Sequence, residues 1–111
     1  MDWEILDSHE KLAQLVEDSK KTELKAVAVF KHSTRCSISS MAKSRLERSW
    51  SLKEVPIYYL DLLSFRDISN AIANQFQIEH QSPQLIIIKN GEAVYHASHG
   101  AIDSGAVKEI L

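Results

Sequence analysis

The chain has 111 residues, and its 13 Lys and Arg against 15 Asp and Glu give a net charge of −2. That balance leaves no basic footprint for nucleic acid or an anionic membrane, and no apolar run approaches the roughly 18 residues that cross a bilayer. With 44% hydrophobic and 25% charged residues, the composition is that of one soluble globular domain over residues 1–111. Met1-Asp2-Trp3-Glu4 lacks a basic n-region, so no secretory leader is expected. Cys36 is the only cysteine, which excludes an internal disulfide and points to a reducing, cytoplasmic setting. One Cys and the scattered His9, His32, His80, His96 and His99 offer no metal-ligand spacing.

Trp3 to Leu6 is a short apolar segment expected as an edge strand. Asp7-Ser8 then offers a cap for a helix with Leu12, Leu15 and Val16 on one stripe. Lys25 to Phe30 reads as a buried strand, being mostly apolar without polar alternation. His32 to Arg35 are expected as a polar loop. Ser37 to about Trp50 reads as a helix burying Ile38, Met41, Ala42, Leu46 and Trp50, with Lys43, Arg45, Glu47 and Arg48 facing solvent. Val55 to Asp61 is the next strand, with Pro56 near its start. Asp67 to Phe76 follows as a helix burying Ile68, Ala71, Ile72 and Phe76. Gln84 to Lys89 is the strongest strand signal. Asn90-Gly91 supplies a two-residue hairpin turn, and Glu92 to Ala97 returns antiparallel. Asp103 can cap a last helix through Ala106, Val107 and Ile110. The pattern is α/β: a three-layer sandwich of a mixed central sheet flanked by helices. The tryptophans Trp3 and Trp50 read as core or rim packing, and His96 and His99 as surface or packing residues.

The feature with most chemical content is Lys31-His32-Ser33-Thr34-Arg35-Cys36-Ser37-Ile38-Ser39. It places a lone thiol between a strand and a helix, where free N–H groups and the helix dipole favour a thiolate. Arg35, Lys31 and His32 can add positive potential, or can be plain solvated loop residues. Ser39 lies one turn into the helix. It is either a helix-surface serine or a hydrogen-bond donor to the Cys36 sulfur. Ser82-Pro83, just before the strongest strand, is a constrained loop where a cis peptide bond fits. A Cys-x5-Arg phosphate loop is excluded, because Ala42 stands where its arginine would be.

These features resemble the thioredoxin superfamily over nearly the whole chain: strand, Cys36-x-x-Ser39 at a helix start, intervening strand and helix, Ser82-Pro83, hairpin and final helix. Cys-x-x-Ser is similar to the monothiol glutaredoxins. The run Lys31 to Ser39, the strand Tyr58-Tyr59-Leu60-Asp61, the loop His80-Gln81-Ser82-Pro83-Gln84 and the Asn90-Gly91 hairpin resemble the monothiol bacilliredoxins still more closely. That resemblance implies Cys36 as nucleophile, with Thr34, Arg35, Ser39, Ser82 and Pro83 around the bound thiol. It also implies a general-stress role and removal of bacillithiol, or a similar small thiol, from S-thiolated client proteins. The small thiol would be a co-substrate, with no bound cofactor. The chain departs from thioredoxin itself in having one cysteine and in placing Phe30 six residues before it, where thioredoxin has a buried acid. A dithiol cycle is therefore not expected. Two alternatives stay open from the sequence: a non-catalytic stress or redox-sensor protein of the same fold, and iron–sulfur binding by a dimer.

Overall fold

A computed structural model describes residues 1–111. The elements run β1 (Trp3–Ile5), α1 (His9–Asp18), β2 (Val27–His32), α2 (Ser37–Ser49), β3 (Ile57–Asp61), α3 (Arg66–Phe76), β4 (Gln84–Lys89), β5 (Glu92–Ser98) and α4 (Ser104–Ile110), with a 3-10 turn at His99–Ala101. The sheet has the order β1-β3-β2-β4-β5. β1, β3 and β2 are parallel, whereas β4 is antiparallel to β2 and β5 to β4. The expected mixed sheet is thus present, with β1 at one edge.

Local signals explain most boundaries. Ser8 caps α1, its Oγ accepting from the Lys11 N–H at 3.1 Å, and Asp103 caps α4 by accepting from the Gly105 N–H. Asn90 and Gly91 both hold positive φ, 53° and 77°, as a tight hairpin between right-twisted strands requires. The Ser82-Pro83 peptide bond is cis.

Strand alternation divides the interior into two layers. On one face Leu12 and Leu15 of α1 and Ile68 and Ile72 of α3 pack with Val27, Val29, Ile86 and Ile88. On the other, Ala42 and Leu46 of α2 and Val107 of α4 pack with Ala28, Phe30, Leu85 and Ile87. Both faces of β2 and β4 are therefore dry, as their unbroken apolar runs require. Each fully buried Ile or Phe side chain contributes about 1.5–3 kcal/mol.

Three expectations change. β2 runs on to His32, because it pairs Lys31 with Gln84 of β4 and with Leu60 of β3. Lys31 and His32 are accordingly buried strand residues and not solvated loop residues. In α2 the buried positions are Ser39, Ala42 and Leu46, while Ile38 and Met41 are 53% and 65% exposed. The small side chains of Ser39 and Ala42 let α2 lie close on the sheet, which turns Ile38 and Met41 outward. Ala71 and Phe76 of α3 are only half-buried.

Candidate functional site

The antiparallel register of β2 and β4 sets the geometry of the site. Lys31 pairs with Gln84, so the chain leaving β2 and the chain entering β4 meet at one end of the sheet. The first carries Ser33, Thr34, Arg35 and Cys36; the second carries Ser82 and Pro83. The expected juxtaposition of the thiol loop with the Ser82-Pro83 loop follows from that register. Pro83 is buried and its carbonyl accepts from the His99 N–H at 3.1 Å, which ties the loop to the turn after β5.

Cys36 is partly exposed and stands at the N-cap of α2 with extended backbone angles. Its N–H donates to the Ser33 carbonyl at 3.1 Å and its carbonyl accepts from the Ser40 N–H at 3.1 Å, which closes a tight turn into the helix. No side chain caps this helix, so its first-turn N–H groups favour negative charge at that end. Thr34 and Arg35 are exposed beside the thiol.

Ser39 is fully buried, which excludes the helix-surface reading. Its Oγ accepts from the Ser33 N–H at 3.1 Å and lies 2.7 Å from His32 Nδ1. Oγ and Nδ1 are hydrogen-bonded, with the donor set by the imidazole tautomer. Burial, then the Lys43 ammonium, hold His32 below its ordinary value of 6.5, so the ring is neutral at pH 7. Ser39 therefore pins the Cys36 turn to β2 and is not hydrogen-bonded to the sulfur. His32 in turn stacks on Phe30, with ring centroids 5.9 Å apart, and packs near Tyr59.

Lys31 points to the opposite face. Its Nζ donates to the Ser69 carbonyl at 3.1 Å and to His80 Nδ1 at 3.3 Å. No carboxylate pairs with it, and burial lowers it from 10.5 to about 8. Beside it, Gln84 donates its Nε2–H to the Glu79 carbonyl at 3.1 Å, while Gln84 Oε1 and Ser82 Oγ are enclosed without partners in the chain. Lys31 and Gln84 thus brace the 79–83 loop from beneath. Neither Lys31 nor His32 contributes to a basic cluster at the thiol; of the three basic residues expected there, only Arg35 remains. Sequence reasoning missed the bracing role. The period of β2 places Lys31 in phase with Val27 and Val29, a signal for burial, but nothing local reveals its partners.

Phe30 is fully buried, so the position six residues before Cys36, where thioredoxin places an acid, carries no carboxylate here. The described cavities lie elsewhere. One of about 410 Å³, lined by Trp50, Leu52, Val55 and Pro56 among others, is at the far end of the sheet. Another of about 420 Å³ lies along α2 at Ser40, Met41, Ser44, Arg45 and Arg48.

The family model for monothiol bacilliredoxin BrxC matches residues 4–107. The chain belongs to the monothiol bacilliredoxin family. Solved structures share its fold. A candidate oxidoreductase with a thioredoxin fold is 31% identical, with a TM-score of 0.81 over 95% of this chain and 89% of that one. A thioredoxin from Malassezia sympodialis (14% identity, TM-score 0.73, 98% and 87% covered) and a thioredoxin variant from Halobacterium salinarum (16%, 0.71, 96% and 84%) share the fold. This bacilliredoxin family member therefore has a thioredoxin fold and a redox thiol function, and Cys36 is the one thiol available for it. No helix is long and apolar enough to cross a membrane.

Proposed function

We propose that the protein is a monothiol thiol–disulfide oxidoreductase that removes bacillithiol, or a similar small thiol, from S-thiolated client proteins. The observation that carries this reading is the pairing of a partly exposed Cys36 at an uncapped helix start with a buried oxygen, Ser39 Oγ, three residues on. The Cys36 thiolate attacks the small-thiol sulfur of the client's mixed disulfide. The client's sulfur leaves as a thiolate, and Cys36 now carries the small thiol. One disulfide is broken and one formed, with no net change of oxidation state. Ser39 has no sulfur with which to expel that thiol, so a second small thiol or another reductant must reset Cys36.

Arg35 and Thr34 are available to a carboxylate-bearing small thiol through charge-assisted hydrogen bonds, and the Ser82-Pro83 loop supplies backbone. A cytoplasmic location fits the single reduced cysteine, and a stress role follows from the family resemblance alone. Turnover tests the reading. A bacillithiolated client incubated with bacillithiol and its reductant should lose the modification many times faster with wild-type protein than without it, and Cys36→Ser should show no acceleration. One equivalent of adduct on Cys36 and no further release would instead make the protein a sensor.

A further inference from the structure

We propose that the exposed stripe Ile38, Met41, Arg45 and Arg48 on α2 is a docking surface for client segments carrying acidic residues about four to six positions from the thiolated cysteine. The inference rests on the proposed de-thiolation and specifies the clients.

The spacing of three, four and three residues puts these side chains on one helix face. All four are exposed, and the stripe starts two residues after Cys36. It begins apolar, with Ile38 and Met41 far more exposed than side chains of their size usually are, and ends cationic. The positive charge is unneutralised. Every ion pair in the structure uses a lysine or histidine, and none uses an arginine. The one acid on α2, Glu47, is held on the opposite side by Trp3 Nε1–H and Lys43 Nζ, both at 2.9 Å. A chain with net charge −2 thus presents two guanidiniums without carboxylate partners along one line that leads away from its thiol.

The surroundings shape this line into a track. The concavity at Ser40, Met41, Ser44, Arg45 and Arg48 lies along it. Arg45 Nη2 donates to the His99 carbonyl at 3.3 Å, and the His99 N–H donates to Pro83, so the stripe is continuous with the Ser82-Pro83 loop. At about 1.5 Å per helical residue, Arg45 and Arg48 lie about 13 and 18 Å along the axis from Cys36. An extended client chain covers that in about four to six residues at about 3.3 Å each. Carboxylates at those positions meet the guanidiniums, while apolar residues between them cover Ile38 and Met41.

The test uses cysteine peptides activated as mixed disulfides with thionitrobenzoate. Attack of Cys36 on the peptide sulfur joins peptide to protein and releases the coloured thiolate, so docking is read without bacillithiol chemistry. Peptides with glutamates four to six positions from the cysteine, on either side, should react about tenfold faster than lysine counterparts at low salt, with the preference erased at high salt. R45E/R48E should invert the preference, R48E alone should weaken it, and activated free cysteine should react equally with all three proteins. Equal rates for glutamate and lysine peptides on wild type, or an unchanged preference in R45E/R48E, would overturn the proposal. So would concentration-dependent sedimentation of the free protein lost in R45E/R48E, which would assign the stripe to a second copy. Peptide preference without release of bacillithiol from a thiolated client would refute the enzymatic reading and leave the stripe standing; release without preference would do the reverse.

Discussion

The last two residues of β2 make a comparison between the two faces of the sheet. His32 enters the layer under α2, and Lys31 enters the layer under α3. Beneath the thiol, polarity is neutral and closed: His32 is uncharged and shares its Nδ1 with the Ser39 hydroxyl, which is itself satisfied by the Ser33 N–H. On the far face it is charged and open: a buried ammonium has no carboxylate, and Gln84 Oε1 beside it has no partner. Each arrangement holds one of the two loops that meet at Cys36. The difference shows that both loops are positioned by buried side chains of one strand, without placing a second charge next to the reactive sulfur.

The predictions that sharpen this comparison run from large to small. Phe30 fills the layer under His32, and Phe30→Ala should cost about 3–5 kcal/mol in urea unfolding. An effect below about 1 kcal/mol would mean that the layer is looser than its burial implies. Lys31→Met bears on the charged face. Below pH 8 the lysine is protonated folded and unfolded. Between about 8 and its ordinary 10.5 the folded chain has released a proton that the unfolded chain retains, so stability should rise with pH. Tyr58 and Tyr59, raised above 10.0 chiefly by burial, stay neutral in that window. In a Cys36→Ser background the gain should average about 1 kcal/mol per pH unit between 8 and 9.5, and Lys31→Met should flatten it. Ser39→Ala leaves His32 Nδ1 and the Ser33 N–H unpaired and should cost about 1–3 kcal/mol. It should also slow reaction at Cys36 through a loosened turn.

The smallest effect is expected at the matching serine of the other face. Ser19 is buried, and its Oγ accepts from the Gly91 N–H at 2.9 Å. Its carbonyl separately accepts from the Asn90 N–H at 2.9 Å, and that bond survives substitution. Ser19→Ala should cost about 1 kcal/mol by thermal unfolding. A loss larger than that of Ser39→Ala would reverse the ranking of the two faces.

Much of this architecture is legible in the chain because its signals are local. Ser8, Asp103 and Asn90-Gly91 mark caps and a turn through their own chemistry, and Gln84 to Lys89 announces a strand by composition alone. The Ser82-Pro83 bond and the place of Cys36 at a helix start are also readable from neighbours in sequence. What escapes is decided across the fold. Lys31 looks solvated until the Ser69 carbonyl and His80, 38 and 49 residues away, supply its partners. Apolar spacing sends Ile38 and Met41 to the core and leaves Ser39 outside, yet the smallness of Ser39 and its bond to His32 reverse the assignment.

The central claim is that Cys36 itself takes the small thiol from a client. Intact-mass spectrometry of wild-type protein mixed with a bacillithiolated client, without added reductant, reads this directly. The account predicts that the client loses the mass of one bacillithiol while the protein gains it on the peptide containing Cys36. A client that keeps its modification while the protein stays unmodified would contradict it.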